Sequence, residues 1–323
     1  MAIYIAIDGG GTKTEYLLLN DALEVMDRHV GSGSNHERLS DGYAGVKRTF
    51  YENLTLLLTR NGIKASEIQD VVAGLSGADN DTQTERLQEI LRGFGFQYVM
   101  VCNDGYLPLK AECNVGIAYN CGTGVCCAAI DSKGKMIKIG GLDEWSRDAG
   151  GGIWLLQQIF SSVYDDAVLS LCETKMTRKI AGLFDSCDIR VGQMETWLPK
   201  FMSEDQLQRR IIACFFDAYE AGDHIAIRIG EQMAKRAADY IAAAYRLGTF
   251  EEEPICVVLA GSILLKAANV KYLETMKREV VRRIGKDVRW IPLAHTAAYG
   301  AMQWIEQRQK PMKQAGGSTP DFV

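Results

Sequence analysis

The stretch Ile3-Tyr4-Ile5-Ala6-Ile7-Asp8-Gly9-Gly10-Gly11-Thr12-Lys13-Thr14 constrains this chain more than any other. Residues 3–7 are apolar and largely β-branched, which predicts a buried strand ending in the carboxylate of Asp8. Three glycines, Thr12, Lys13 and Thr14 come next, and a second apolar run over residues 16–19 closes at the turn pair Asn20-Asp21. The glycines therefore join two strands. A dinucleotide fingerprint needs a helix directly after its glycines. A P-loop needs four residues between its first glycine and its Gly-Lys pair. Neither fits. A tight glycine hairpin turns backbone N–H groups toward one point and lets an anion approach with no Cβ in the way. Asp8, at the strand end, is placed to hold a hydrated Mg²⁺ beside that anion.

The same unit returns later in the chain. Residues 115–120 read as a strand, Gly122-Thr123-Gly124 as a glycine hairpin, and residues 125–130 and 135–139 as two further strands. Thr12 and Thr123 are 111 positions apart, as are Asn20 and Asp131, so the spacing predicts two hairpins that superpose without a gap. In the first copy a third strand (24–30), the small-residue loop Gly31-Ser32-Gly33-Ser34-Asn35-His36 and a helix over 41–61 come next. Then come a strand (71–75), a helix capped by Asn80 or Asp81, and a strand over 98–102 ending in Asn103-Asp104. In the second copy, helical patterns over 155–163, 175–184, 206–216 and 223–247 precede a strand (254–259). Ala260-Gly261-Ser262, a helix, a last strand (288–291) and a last helix (297–309) complete it. The expected class is α/β, with duplicated mixed-sheet domains over 1–114 and 115–310, the second carrying a helical insertion. Helix 297–309 is expected near the hinge, and residues 311–323 as a disordered tail.

Composition narrows the function classes. The chain is 47% hydrophobic and 24% charged over 323 residues, enough for two ordinary cores. A net charge of −5 without a basic run offers nucleic acid nothing to bind. No apolar run approaches the ~20 residues that span a bilayer, and Met1-Ala2-Ile3-Tyr4 lacks the basic start of a signal peptide. Cys102, Cys121, Cys126, Cys127, Cys214 and Cys256 sit in apolar runs with no C-x-x-C pair, which reads as buried reduced thiols in a cytoplasmic protein.

Asp-Gly-Gly-Gly-Thr-Lys-Thr resembles the first phosphate motif of the actin-like ATPase and sugar-kinase superfamily, with its ribonuclease H-like duplicated domains. In particular it resembles the BadF/BadG group, which contains N-acetylglucosamine kinase. The resemblance implies ATP and Mg²⁺ as cofactors and a nucleotide and sugar cleft between the two domains. Gly10, Gly11, Thr12, Lys13, Gly122, Thr123 and Gly124 would bind the ATP phosphates, and Gly261 and Ser262 the adenosine. Asp8 would hold the metal through water. Ser34, Asn35, Thr123 and Asp148 would contact the sugar. Asp104 would contact it too and act as general base, although a carboxylate there serves equally well as an N-cap for a helix beginning near Tyr106. His36 is assigned no chemistry. The chain departs from the family pattern on the sugar side. Arg147, Ala149 and Gly151 replace the Gly, Glu and Ser around the Asp148 position, and Leu142 and Asp143 break a Gly-Gly-Trp-Gly segment near Trp145.

The activity implied by the resemblance is that of an ATP-dependent kinase for the primary hydroxyl of an amino sugar, first N-acetylglucosamine, with glucosamine as another candidate. Such an enzyme acts on a small molecule, with no nucleic acid or membrane partner, and allows a homodimer. From another class, the group also contains ATPases that activate radical 2-hydroxyacyl-CoA dehydratases or benzoyl-CoA reductases through an iron–sulfur cluster shared by two protomers. The cysteines around Gly122–Gly124 keep that alternative open.

Overall fold

A computed structural model describes residues 2–142, 145–146, 148–184 and 191–314, with the side chains of 191–192 and 310–314 set aside. The expected readings at Asp143 and Arg147, and of most of the tail (315–323), lie outside the described residues. The chain forms two units, Met1–Val115 with Leu293–Val323, and Gly116–Pro292.

In the first unit, β1 (Ile3–Gly9), β2 (Lys13–Leu19) and β3 (Val25–Ser32) are followed by α1 (Tyr43–Arg60) and β4 (Ile68–Leu75). Then come α2 (Asp81–Arg92), β5 (Tyr98–Cys102) and α3 (Leu107–Glu112). The sheet order is β3-β2-β1-β4-β5. β1–β2 and β2–β3 are antiparallel, while β1–β4 and β4–β5 are parallel. Central strands buried on both faces must be apolar throughout, and Ile5, Ala6 and Ile7 have no exposed surface. Ile5 and Ile7 join Val46, Phe50, Leu54 and Leu57 of α1 in one cluster. The final helix α10 (Ala298–Gln314) packs against β1, β4 and α3 in this same unit. It runs five residues beyond the expected end at 309.

The second unit holds β6 (Gly116–Cys121), β7 (Val125–Ile130) and β8 (Met136–Gly140), then α4 (Gly152–Ala167), α5 (Lys175–Leu183), α6 (Val191–Ser203), α7 (Asp205–Glu220) and α8 (His224–Leu247). It closes with β9 (Ile255–Ala260), α9 (Val270–Ile284) and β10 (Val288–Pro292). Its order, β10-β9-β6-β7-β8, repeats the first sheet strand for strand with the same directions. The duplication is therefore real, but the two hairpins differ by one residue. Gly9 pairs with Thr14, leaving residues 10–13 in the first turn. Cys121 pairs with Val125, leaving only 122–124 in the second. The gap-free superposition inferred from spacing fails at the turn, where loop length is set by strand pairing.

Two further departures concern local chemistry. Gly261-Ser262 enters a five-residue π-helical turn, Ile263–Ala267, instead of a full helix, and Ser262 makes no side-chain cap. α9 begins separately, capped by Asn269. Cys102, Cys121, Cys126, Cys127, Cys172 and Cys214 are free thiols. Cys256 is disulfide-bonded, contrary to its expected reduced state.

Candidate functional site

In the first unit, the C-terminal ends of β1, β4 and β5 gather three loops, as parallel strands do at ligand sites. The glycine turn closes with the Gly10 N–H donating to the Lys13 carbonyl at 2.9 Å. The loop after β3 is locked onto it. The Ser34 N–H donates to the Gly10 carbonyl at 3.1 Å, and the Thr14 hydroxyl donates to Ser34 Oγ at 3.0 Å. A Cβ on Gly9 would stand 2.5 Å from Ser34 Oγ and 2.6 Å from Leu75 Cδ2. A Cβ on Gly33 would strike the Gly11 carbonyl. The third loop is tied in by the Ser76 N–H, which donates to the Gly9 carbonyl at 2.7 Å. Thr12 and Lys13 remain exposed at the tip, while Ser34 is wholly buried beneath it. The Ser34 hydroxyl thus braces the turn from below.

Two carboxylates meet at this edge. Asp8, half-buried at the end of β1, is pushed up to about 7. Burial is the main cause, followed by the negative charges of Asp104 and Glu15, with Lys13 opposing. Glu15 lies across the strand pair from Asp8 and forms an ion pair with Arg28. Asp104 comes just after β5 and is half-buried. Asn103 caps the next helical turn, its Oδ1 accepting from the Gly105 N–H at 2.9 Å while its Nδ2 donates to Asp79 Oδ1 at 2.7 Å.

Asn35 is buried, with Nδ2 donating to Ser76 Oγ at 3.0 Å and Oδ1 accepting from the Glu37 N–H at 2.8 Å. One amide hydrogen and one lone pair remain for a ligand. His36 stacks on Tyr43 with ring centroids 4.2 Å apart, and its Nδ1 is buried with no hydrogen-bond partner among the described residues. Ser76, Asp79 and Asn103 belong to this network although no role was expected of them. The available signal was their position just past the ends of β4 and β5.

In the second unit, hairpin 122–124 leans on α4. The N–H groups of Gly152 and Ile153 donate to the carbonyls of Gly122 and Thr123 at 2.8 and 3.1 Å. A Cβ on Gly151 would stand 2.8 Å from the Gly124 Cα, so the segment after Asp148 needs glycine where the family pattern has Ser. Thr123 is exposed. Asp148 is buried, accepting from the Val125 N–H at 3.3 Å, from the Ser146 hydroxyl and from the Tyr240 hydroxyl at 3.4 Å. Gly261 adopts φ +90° with its Cα against the Cys121 carbonyl and Asn120 Oδ1, a position closed to any side chain. Cys121 and Cys127 are buried in the sheet, burial pushes both thiols up, and the Cys121 Sγ donates to the Gly150 carbonyl at 3.0 Å.

Comparison with known proteins adds a lineage to this geometry. The sequence model of the BadF/BadG/BcrA/BcrD ATPase family matches residues 5–304. The N-acetyl-D-glucosamine kinase of Dictyostelium discoideum is 25% identical over 274 residues, spanning 80% of this chain and 84% of its own. In structure, a candidate N-acetylglucosamine kinase from Chromobacterium violaceum superposes with a TM-score of 0.68 at 21% identity, over 93% of this chain and 97% of that one. One from Porphyromonas gingivalis gives 0.67 at 16% identity, over 95% and 99%.

Proposed function

The chain belongs to the BadF/BadG/BcrA/BcrD ATPase family, and from that membership we propose that it is an ATP-dependent kinase for the primary hydroxyl of an amino sugar. N-acetylglucosamine, giving its 6-phosphate, is the first substrate to test, in keeping with the name of the Dictyostelium relative. The observation that carries the reading is the pair of carboxylates at the ends of β1 and β5. Asn103 supplies the cap, and the Asp104 carboxylate lies close enough to Asp8 to raise its affinity for protons.

In this reading the sugar hydroxyl donates a hydrogen bond to Asp104. Its oxygen attacks the γ-phosphorus, the bond to the bridging oxygen of ADP breaks, and the proton passes to Asp104. Gly10, Gly11, Thr12 and Lys13 hold the phosphates, and Asn35 orients the sugar. For the second unit the assignments are Gly122, Thr123 and Gly124 to phosphate, Gly261 and Ser262 to adenosine, and Thr123 and Asp148 to sugar. Mg²⁺ fits the donor set as a hydrated ion carried by the nucleotide. Asp8 is a carboxylate held partly protonated by burial and Asp104, and a cation beside it favours the ionised form. When bound, the ion neutralises phosphate charge. Burial of Cys121 and Cys127 favours packing over cluster ligation, which weighs against the dehydratase-activator reading.

The test is ADP release from ATP with glucose, glucosamine, N-acetylglucosamine, N-acetylmannosamine or anhydro-muramic acid. Sugar-dependent release with an amino sugar is expected. Equal release with and without every sugar would replace the kinase by an ATPase.

A further inference from the structure

Arg38 lies beside the glycine turn, and its side chain crosses directly over Gly11. Cδ, Nε and Nη1 stand 2.9, 3.1 and 3.1 Å from the point a Cβ on Gly11 would occupy, so the side chain reaches this place only because residue 11 is glycine. The backbone beneath is held by hydrogen bonds and close contacts. The Arg38 N–H donates to the Asn35 carbonyl at 3.1 Å, Asn35 Oδ1 holds the Glu37 N–H, and Ser34 and Gly33 are pressed onto the turn. The guanidinium itself is exposed and forms no ion pair or side-chain hydrogen bond among the described residues. Arg28, Arg48 and Arg60 in the same unit each pair with a carboxylate. A planar fork of five donors laid across a bare backbone turn, with no acid to meet it, matches an oxyanion of phosphate geometry.

We propose that Arg38 grips the phosphoryl group in transfer, reaching from the loop that carries Asn35 to the turn that carries the phosphates. This rests on the kinase reading. As the hydroxyl oxygen bonds to the γ-phosphorus and the bridging oxygen departs with ADP, Arg38 donates hydrogen bonds to the equatorial oxygens and exchanges no proton, since Asp104 receives it. A guanidinium so placed binds the terminal phosphate of ATP and ignores ADP. It also accounts for the sugar loop being clamped to the phosphate turn, because the two reactants meet at that phosphoryl group. An arginine that merely covers the glycines, or one that reads an acidic substituent on the sugar, makes different demands.

Arg38→Ala and Arg38→Lys separate these outcomes. Arg38→Ala should lower kcat by ~10²-fold or more, with the sugar KM within about threefold of wild type and the melting temperature unmoved. Arg38→Lys should recover only part of the loss, because an ammonium cannot make the bidentate contact. Calorimetry with a non-hydrolysable ATP analogue and with ADP, both with Mg²⁺, provides the second measurement. The wild type should prefer the triphosphate and Arg38→Ala should lose that preference. If the wild type releases ADP with no sugar of the panel, the kinase reading fails, and the calorimetric preference alone then decides Arg38. Unchanged triphosphate preference, or a loss confined to the sugar KM, would overturn the proposal.

Discussion

Asp104 and Asn103 are neighbours with interchangeable talents, and Asn103 is the cap of the turn after β5. Either side chain can accept from the N–H two residues on, and Asn103 does so for the turn after β5. Under the proposed base role, Asp104→Asn should lower kcat by ~10²–10⁴-fold, the worth of a general base, with no change in melting temperature. Asn103→Ala should do the reverse, costing ~0.5–2 kcal/mol of stability through the lost cap. Steady-state rates and melting curves on the two variants check the assignment, and loss of stability in Asp104→Asn would contradict it. Gly33 gives a second outcome at this scale. A Cβ there would stand 2.3 Å from the Gly11 carbonyl oxygen, so Gly33→Ala must pry the loop after β3 from the glycine turn. Turnover should fall while Asp104 and Asp8 stay intact, and KM for both ATP and sugar should rise together. Neither contact is readable from spacing, because both depend on which loops share an edge. The glycine turn itself was legible: an apolar run, a carboxylate and three glycines specify a strand and its turn through purely local terms.

Among the elements, α5 and α8 share one buried carboxylate. Asp223 caps α8 by accepting from the Ala226 N–H at 2.9 Å. It also accepts from the Lys175 N–H at 2.7 Å and the Thr174 hydroxyl at 3.0 Å, at the start of α5. Burial raises its pKa, but these donors outweigh burial and the net shift is downward. A carboxylate lowered on folding stabilises the protein above its unfolded pKa of ~3.9, and that contribution is lost as pH falls through the folded value. Asp223→Ala should cost ~1–3 kcal/mol at neutral pH. The deficit against wild type should shrink in acid, as denaturation followed at pH 7 and pH 3 would show. The sequence pattern located α8 to within a residue at its start, since a 24-residue amphipathic helix carries its own signal. It could not show that the same Asp serves α5, which begins 48 positions earlier. The π-helical turn after Gly261 escaped for a similar reason. A strand, a Gly-Ser pair and an apolar run look the same whether the run continues or breaks after one turn.

At the scale of the molecule, the last helix returns to the first unit. α10 packs on β1 and β4, and Arg308 pairs with Asp70 of β4 at 2.8 Å. Burial still holds the Asp70 pKa above its ordinary value despite Arg308, and Asp70 Oδ1 has no hydrogen-bond partner among the described residues. An acid raised on folding destabilises the fold once ionised, so this contribution worsens as pH rises from the unfolded pKa through the folded one. Arg308→Ala should cost ~1–3 kcal/mol at pH 7 by leaving that charge alone, and the loss should diminish toward pH 4. Adding Asp70→Asn should restore part of it, and an additive double variant in thermal melts would count against the coupling. By itself the sequence determined the family, the α/β class, the succession of strands along both halves and the carboxylates at the strand ends. Each of these is written in short runs of residues whose backbone preferences and side-chain periodicity act locally. Only the tertiary structure decided the unequal hairpins, the cap at Asn103, the anchoring of α10 on the first sheet and the path of Arg38 across Gly11. These depend on strand register and on close approach between segments distant in the chain, which no local preference encodes.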